Sequence, residues 1–267
     1  MGKNYKLGII GCGNMADAIL GGAISAKIID SSEVLVFDTS VEQSDKFSKK
    51  YSVSVASSNS EVAKNTDYTL LAVKPQNFPL VALELEQVSF LISIMAGVKL
   101  ATIFESIPTL KKAVRIMPNA PARVGEGMSA LSYSGASESD KDFIKSLFSS
   151  IGKTVDVLED KLDAVTAISG SGPAYVYYFI KSMIDAGVEL GLTTSESETL
   201  TYQTFLGAVK MAKSSDTGLD KLIDMVCSKG GTTIEAITHF RNTDTADIIS
   251  KAIKKCYDRS VELSEGK

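Results

Sequence analysis

Two stretches of this sequence pair glycines with groups able to hold an anion: Gly11-Cys12-Gly13-Asn14-Met15-Ala16 and Ser228-Lys229-Gly230-Gly231-Thr232-Thr233-Ile234. Both stand where a helix should start, and a helix N-terminus offers unpaired backbone N–H groups and the positive end of its dipole. In the first stretch Gly11, Gly13 and Ala16 fit G-x-G-x-x-G/A. The first glycine serves a tight turn, the second lets a pyrophosphate approach the backbone, and the small third residue lets helix and strand pack closely. The spacing predicts a dinucleotide site, against the alternative of a glycine-rich structural turn. Asp38 follows about twenty residues later, where an acid accepts from a ribose 2′-OH. It could equally open a turn or cap a helix starting at Val41. Thr39 and Ser40 could donate to a 2′-phosphate, but no arginine lies nearby. NADH and NADPH both stay open, with a tilt toward accepting NADH.

Two further segments end predicted strands. In Ala72-Val73-Lys74-Pro75-Gln76, Pro75 stiffens the turn and the Lys74 ammonium either meets cofactor oxygens or is solvated. In Met117-Pro118-Asn119-Ala120-Pro121-Ala122, two prolines preclude a regular ladder and fix an irregular loop at the rim. Ligands of open α/β sheets bind at such carboxyl ends. The other residue types limit the chemistry. His239 is the single histidine and reads as structural or solvent-facing. A zinc site or a histidine-based nucleophile system has little to build with, so no metal is expected. Cys12, Cys227 and Cys256, without C-x-x-C spacing, fit reduced thiols in a reducing, cytoplasmic setting.

Positioning these groups requires a particular set of elements. Short apolar runs at Lys6–Ile10, Val34–Phe37, Thr69–Val73, Phe90–Met95 and Val114–Met117 alternate with amphipathic stretches such as Ala16–Ala26, Val41–Tyr51 and Phe78–Gln87. That pattern predicts an α/β domain with a mostly parallel sheet covered on both faces. Met128–Tyr133 and Thr154–Val157 extend it around a helix at Glu138–Ile151. After about Leu158 strand-like alternation stops, and the rest reads as helices broken by glycine. The expected division is 1–158 for a Rossmann dinucleotide-binding domain and 159–267 for an all-α domain. Segments such as Ala174–Leu190 are apolar over most of their circumference, which predicts deep burial, with a second copy of the chain as packing partner. Glycines at 170 and 172 and Pro173 are costly in a buried helix unless backbones or ligands approach closely. A net charge of −4 with scattered basic residues argues against nucleic acid or an anionic membrane as partner. No apolar run reaches membrane-spanning length, and the first residues lack a signal-peptide pattern.

The segments GIIGCGNMA, AVKPQ, RIMPNAPA, AISGSGPAYVYYFI, QTFLGAVKM and SKGGTTI, in this order, resemble pyrroline-5-carboxylate reductase over essentially the whole chain. The resemblance implies a Rossmann domain followed by a helical dimerisation domain. It further implies reduction of 1-pyrroline-5-carboxylate to L-proline with NADPH or NADH, in interlocked homodimers that often build larger rings such as decamers. By the same resemblance Gly11, Gly13, Asn14 and Met15 hold the pyrophosphate, and Asn59 lies near the adenosine. Ala72, Val73, Lys74 and Pro75 line the nicotinamide ribose, with Asn119 and Ala120 at the nicotinamide rim. Ser171 and the loop of Ser228, Gly230, Gly231, Thr232 and Thr233 hold the substrate, whose carboxylate the glycine cradle suits. Thr233 is the candidate for a hydrogen bond to the ring nitrogen. Lys229 departs from the family's usual proline. A β-hydroxyacid dehydrogenase would need K-x-x-N in the helical half, and no such pair follows residue 150. A nucleotide-binding sensor without turnover is the other alternative.

Overall fold

The computed structural model describes residues 4–265. Its strands are β1 (Tyr5–Ile10), β2 (Val34–Phe37), β3 (Ser54–Val55), β4 (Thr66–Leu71), β5 (Phe90–Ser93), β6 (Ala113–Met117), β7 (Gly127–Ser134) and β8 (Gly152–Asp156). They form a sheet in the order β3-β2-β1-β4-β5-β6-β7-β8. Pairing is parallel except at β6–β7, where Val114 faces Tyr133. Parallel strands need crossovers. The helices available for them are α1 (Asn14–Ser25), α2 (Val41–Tyr51), α3 (Asn59–Asn65), α4 (Phe78–Ala82), α5 (Leu100–Ser106) and α6 (Glu138–Ser149).

Alternation along the strands feeds two cores. Ile9, Val34, Val36, Leu70, Ile92 and Val114 point to one face, where Ile19, Leu20, Ile144 and Phe148 cover them. Their neighbours Ile10, Leu35, Leu71, Leu91 and Ala113 point to the other, under Val62, Phe78, Leu100 and Ile103. Burial on both faces is why these strands read as continuous apolar runs. In α1 the buried set is Ala16, Ile19, Leu20 and Ala23, one stripe of a 3.6-residue period. Arg115, inward on β6, is satisfied by Glu159 at 3.3 Å. Glu159 Oε1 also accepts the Leu100 N–H at the start of α5.

Beyond β8 come α7 (Leu162–Val165), a π-helical turn at Thr166–Gly170, α8 (Gly172–Glu189), α9 (Thr194–Ser214), α10 (Leu219–Val226), α11 (Thr232–Asn242) and α12 (Thr245–Ser264). The chain forms two compact units, Met1–Ser171 with Cys256–Lys267, and Gly172–Lys255. The expected boundary near residue 158 marks where strands end. The first unit continues through the π turn and takes back the last turns of α12. There Asp163 accepts from Ser260 Oγ at 2.7 Å and Ser264 Oγ at 3.3 Å.

In the second unit the packing of α8 is left incomplete within the single chain. α8 contains no buried residue in the single chain, and Tyr177, Tyr178 and Leu190 are exposed. The apolar circumference of this helix is not covered by its own subunit. Within the unit, α8 and α9 touch where Ser197 Oγ donates to the Ile184 carbonyl at 2.9 Å. No helix among the described residues is long and apolar enough to cross a membrane.

Candidate active site

The turn from β1 into α1 is built from backbone constraints. Gly11 has φ +96, and a Cβ there would come within 2.6 Å of the Ala72 carbonyl oxygen. Only glycine meets both conditions without strain. Gly13 caps α1, and no heavy atom lies within 4 Å of where its Cβ would be. Open space in front of a helix N-terminus is what a pyrophosphate requires, so this turn fits a dinucleotide. Asp38 closes the turn from the side. Its Oδ2 accepts the Cys12 N–H and its Oδ1 the Ser40 N–H, each at 2.8 Å. The turn-opening role is therefore realised, whereas the cap of α2 is Ser40. Burial, then the Asp38 charge, push the Cys12 thiol up to about 12, so it stays protonated and unreactive.

A cavity of about 580 Å³ opens beside this turn. Gly11, Gly13, Asp38, Asn59, Ala72, Val73 and Lys74 from the sequence expectation line it. Thr39, Asn77 and Glu84 also line it. Asn59 is 5 % exposed, and its Nδ2 donates to Glu84 Oε1 at 3.1 Å. Asn14, Met15 and Pro75 lie just outside the lining, in the first turn of α1 and in the 3-10 turn after Lys74. Glu84 was beyond sequence reasoning, because it stands 25 residues from the Asn59 it contacts.

Three strands along from β1 in the sheet, Asn119 and Ala120 open the turn after β6. The Asn119 side chain is a strut. Its Oδ1 accepts the Met128 N–H at 2.9 Å, and its Nδ2 donates to the Ser169 carbonyl at 3.2 Å. Both ends of the Asn119 amide are thus engaged within the chain. The strut grips the π turn that ends at Ser171, whose N–H reaches back to the Thr166 carbonyl at 2.8 Å. Such turns often occur at functional sites. Cys256 Sγ donates to Ser171 Oγ at 3.3 Å, leaving the serine proton free to point elsewhere.

In the second unit, Gly230 has φ +71 and Gly231 caps α11. The Gly231 N–H donates to the Ser228 carbonyl at 2.9 Å. That bond closes the turn in front of α11. Thr232 and Thr233 occupy the first two positions of α11, where backbone N–H groups have no partner within the helix. No group of metal-ligating side chains is found among the described residues.

Comparison with known proteins agrees with this division of labour. Residues 159–263 match the family described as pyrroline-5-carboxylate reductase dimerisation. Residues 6–97 match that described as NADP oxidoreductase, coenzyme F420-dependent. A pyrroline-5-carboxylate reductase of Synechocystis is 38 % identical, covering 98 % of this chain and 99 % of its own. One from Staphylococcus aureus is 34 % identical over 97 % and 98 %. Among solved structures, the Coxiella burnetii pyrroline-5-carboxylate reductase superposes with a TM-score of 0.90 at 32 % identity, covering 98 % of this chain and 99 % of the other. The Plasmodium falciparum enzyme, solved with NADP bound, gives 0.87 at 32 % identity over 99 % and 100 %. This chain belongs to the pyrroline-5-carboxylate reductase family.

Proposed function

We propose that this protein reduces 1-pyrroline-5-carboxylate to L-proline with NADPH or NADH, the last step of proline synthesis. The observation that carries the reading is full-length likeness to such reductases in a chain whose Gly13 turn stands open at a helix start. A bound nicotinamide dinucleotide supplies the hydride. The chain's part is binding and orientation. Gly11, Gly13, Asn14 and Met15 hold the pyrophosphate at the α1 N-terminus, Asp38 and Asn59 face the adenosine half, and Ala72 to Pro75 line the nicotinamide ribose. The loop of Asn119 and Ala120 walls the ring through its backbone.

On the substrate side, Ser171 and the turn of Ser228, Gly230, Gly231, Thr232 and Thr233 take the imine. The free N–H groups of Thr232 and Thr233 suit a carboxylate, and the Thr233 hydroxyl donates to the ring nitrogen. A threonine hydroxyl is a poor acid near pH 7, so Thr233 assists rather than supplies the proton outright. The Lys229 side chain points to water. We place the working unit in the cytoplasm as a homodimer with interlocked helical domains, built further into a ring such as a decamer. The dimerisation family match and the uncovered apolar face of α8 support a partner copy. In that dimer the Ser228–Thr233 turn of one copy serves the imine beside the cofactor of the other.

The test is to mix the full chain with 1-pyrroline-5-carboxylate and NADPH or NADH and follow reduced-cofactor absorbance, with Thr233→Ala alongside. The parent is expected to turn over, and Thr233→Ala to lose about 10²-fold or less in kcat. A folded, nucleotide-binding parent without turnover sinks the reading. Complete loss in Thr233→Ala, with folding intact, makes the threonine indispensable instead.

A further inference from the structure

Asn59 presents an unfinished hydrogen-bond account. It is 5 % exposed, it lines the cavity beside the glycine turn, and its Nδ2 is committed to Glu84 Oε1. No described residue donates to its Oδ1. The amide oxygen is thus left without a protein donor beside the cavity that Asn59 lines, where a ligand can supply one.

The direction of that amide follows from Glu84. A carboxylate accepts and cannot donate. Facing Glu84, Asn59 must turn its NH₂ toward the carboxylate, which leaves the carbonyl oxygen as the group shown to the ligand. An isolated asparagine would present either end. We infer that Glu84 is a positioning residue: it fixes Asn59 as a hydrogen-bond acceptor for a donor on the adenosine half of the dinucleotide, either a ribose hydroxyl or the adenine amine. This rests on the dinucleotide reading of the cavity and adds a residue that touches no reacting atom. Asp38 lines the same cavity but is held by the Cys12 and Ser40 N–H groups. The Glu84 carboxylate accepts, among the described residues, from Asn59.

The test uses the full chain with Glu84→Ala and Glu84→Gln. Dissociation constants for NADH, NADPH and the reduced hypoxanthine analogue, which lacks the adenine amine, are read by calorimetry. The imine KM is measured at saturating cofactor. Glu84→Ala is expected to weaken NADH about five- to ten-fold, the worth of one neutral hydrogen bond, with the imine KM unchanged. Glu84→Gln keeps an acceptor and is expected to recover most of the affinity. If the variant's penalty vanishes with the hypoxanthine analogue, the donor is the adenine amine. If it vanishes with NADPH, the donor is the 2′-hydroxyl, and if it persists with both, the 3′-hydroxyl. Unchanged NADH affinity in Glu84→Ala, or equal losses for cofactor and imine, overturns the proposal. A parent that binds no dinucleotide overturns the reading beneath it instead.

Discussion

Asp38 shows how one side chain can hold a turn and still keep acceptor capacity for a ligand. Each carboxylate oxygen has two lone pairs, and each gives one to a backbone N–H, from Cys12 and from Ser40. One lone pair per oxygen is left for a ribose hydroxyl. Replacing Asp38 with serine removes at least one of the two tethers and the negative charge together. Asp38→Ser is expected to lower stability by about 1–2 kcal/mol, a fall in Tm of several degrees for a chain this size. It should also raise kcat/KM with NADPH relative to NADH, since the 2′-phosphate no longer meets an anion. Calorimetric melting and paired cofactor assays check both, and an unchanged Tm would show the tethers to be idle. The sequence alone left the turn role and the ribose role as alternatives. Neither tether is visible in a one-dimensional spacing, because Cys12 and Asp38 are brought together only when β1 pairs with β2.

The elements were legible to the degree that burial imposes a pattern. β1, β2, β4, β5 and β6 stand out as apolar runs because both faces of the sheet are covered. β3 is the two residues Ser54–Val55, too short to carry a period, and α4 ends at Ala82 well before its amphipathic pattern does. The π turn at Thr166–Gly170 has no propensity signature, although the glycines beside it hinted at close approach. Gly170 lies against the Met117 side chain, so tightly that a Cβ would come within 2.6 Å of Met117 Cε. Within α6, Ser137 and Asp140 form a capping box, and Asp140 also accepts from Tyr68 at 2.8 Å and Lys112 at 3.1 Å. Burial opposes its ionisation, but the hydrogen bonds from Ser137, Tyr68 and Lys112 outweigh it and hold the carboxyl at about 2. Its folded value lies below the ordinary one near 4. The stability it contributes is therefore full above about pH 4 and disappears as pH falls toward 2. Asp140→Asn is expected to cost about 1–3 kcal/mol at neutral pH and to flatten the acid limb between about pH 4 and 2. Urea unfolding across that range reads both effects, and parallel acid limbs in parent and variant would remove Asp140 as the cause.

For the whole molecule, the helical unit leaves large apolar side chains in contact with water, among them Leu206, Val209, Met225 and Val226. Exposed apolar surface on this scale marks an interface. Sedimentation of the parent is expected to give a species larger than one chain. A Leu206→Glu, Val209→Glu double variant is expected to shift toward the monomer and lose turnover while still binding dinucleotide. A monomeric, active parent would contradict the proposed assembly. The seam between Asp163 and the last turns of α12 carries a consequence for biogenesis. Ser260 lies 97 residues beyond the carboxylate it bonds, and Cys256 lies 85 beyond Ser171. Synthesis runs from the N-terminus at about 5–20 residues per second, so Asp163 and Ser171 spend several seconds on the ribosome without these partners. The nascent sheet can close early, but the grip on Ser171 arrives only after every helix of the other unit has been made.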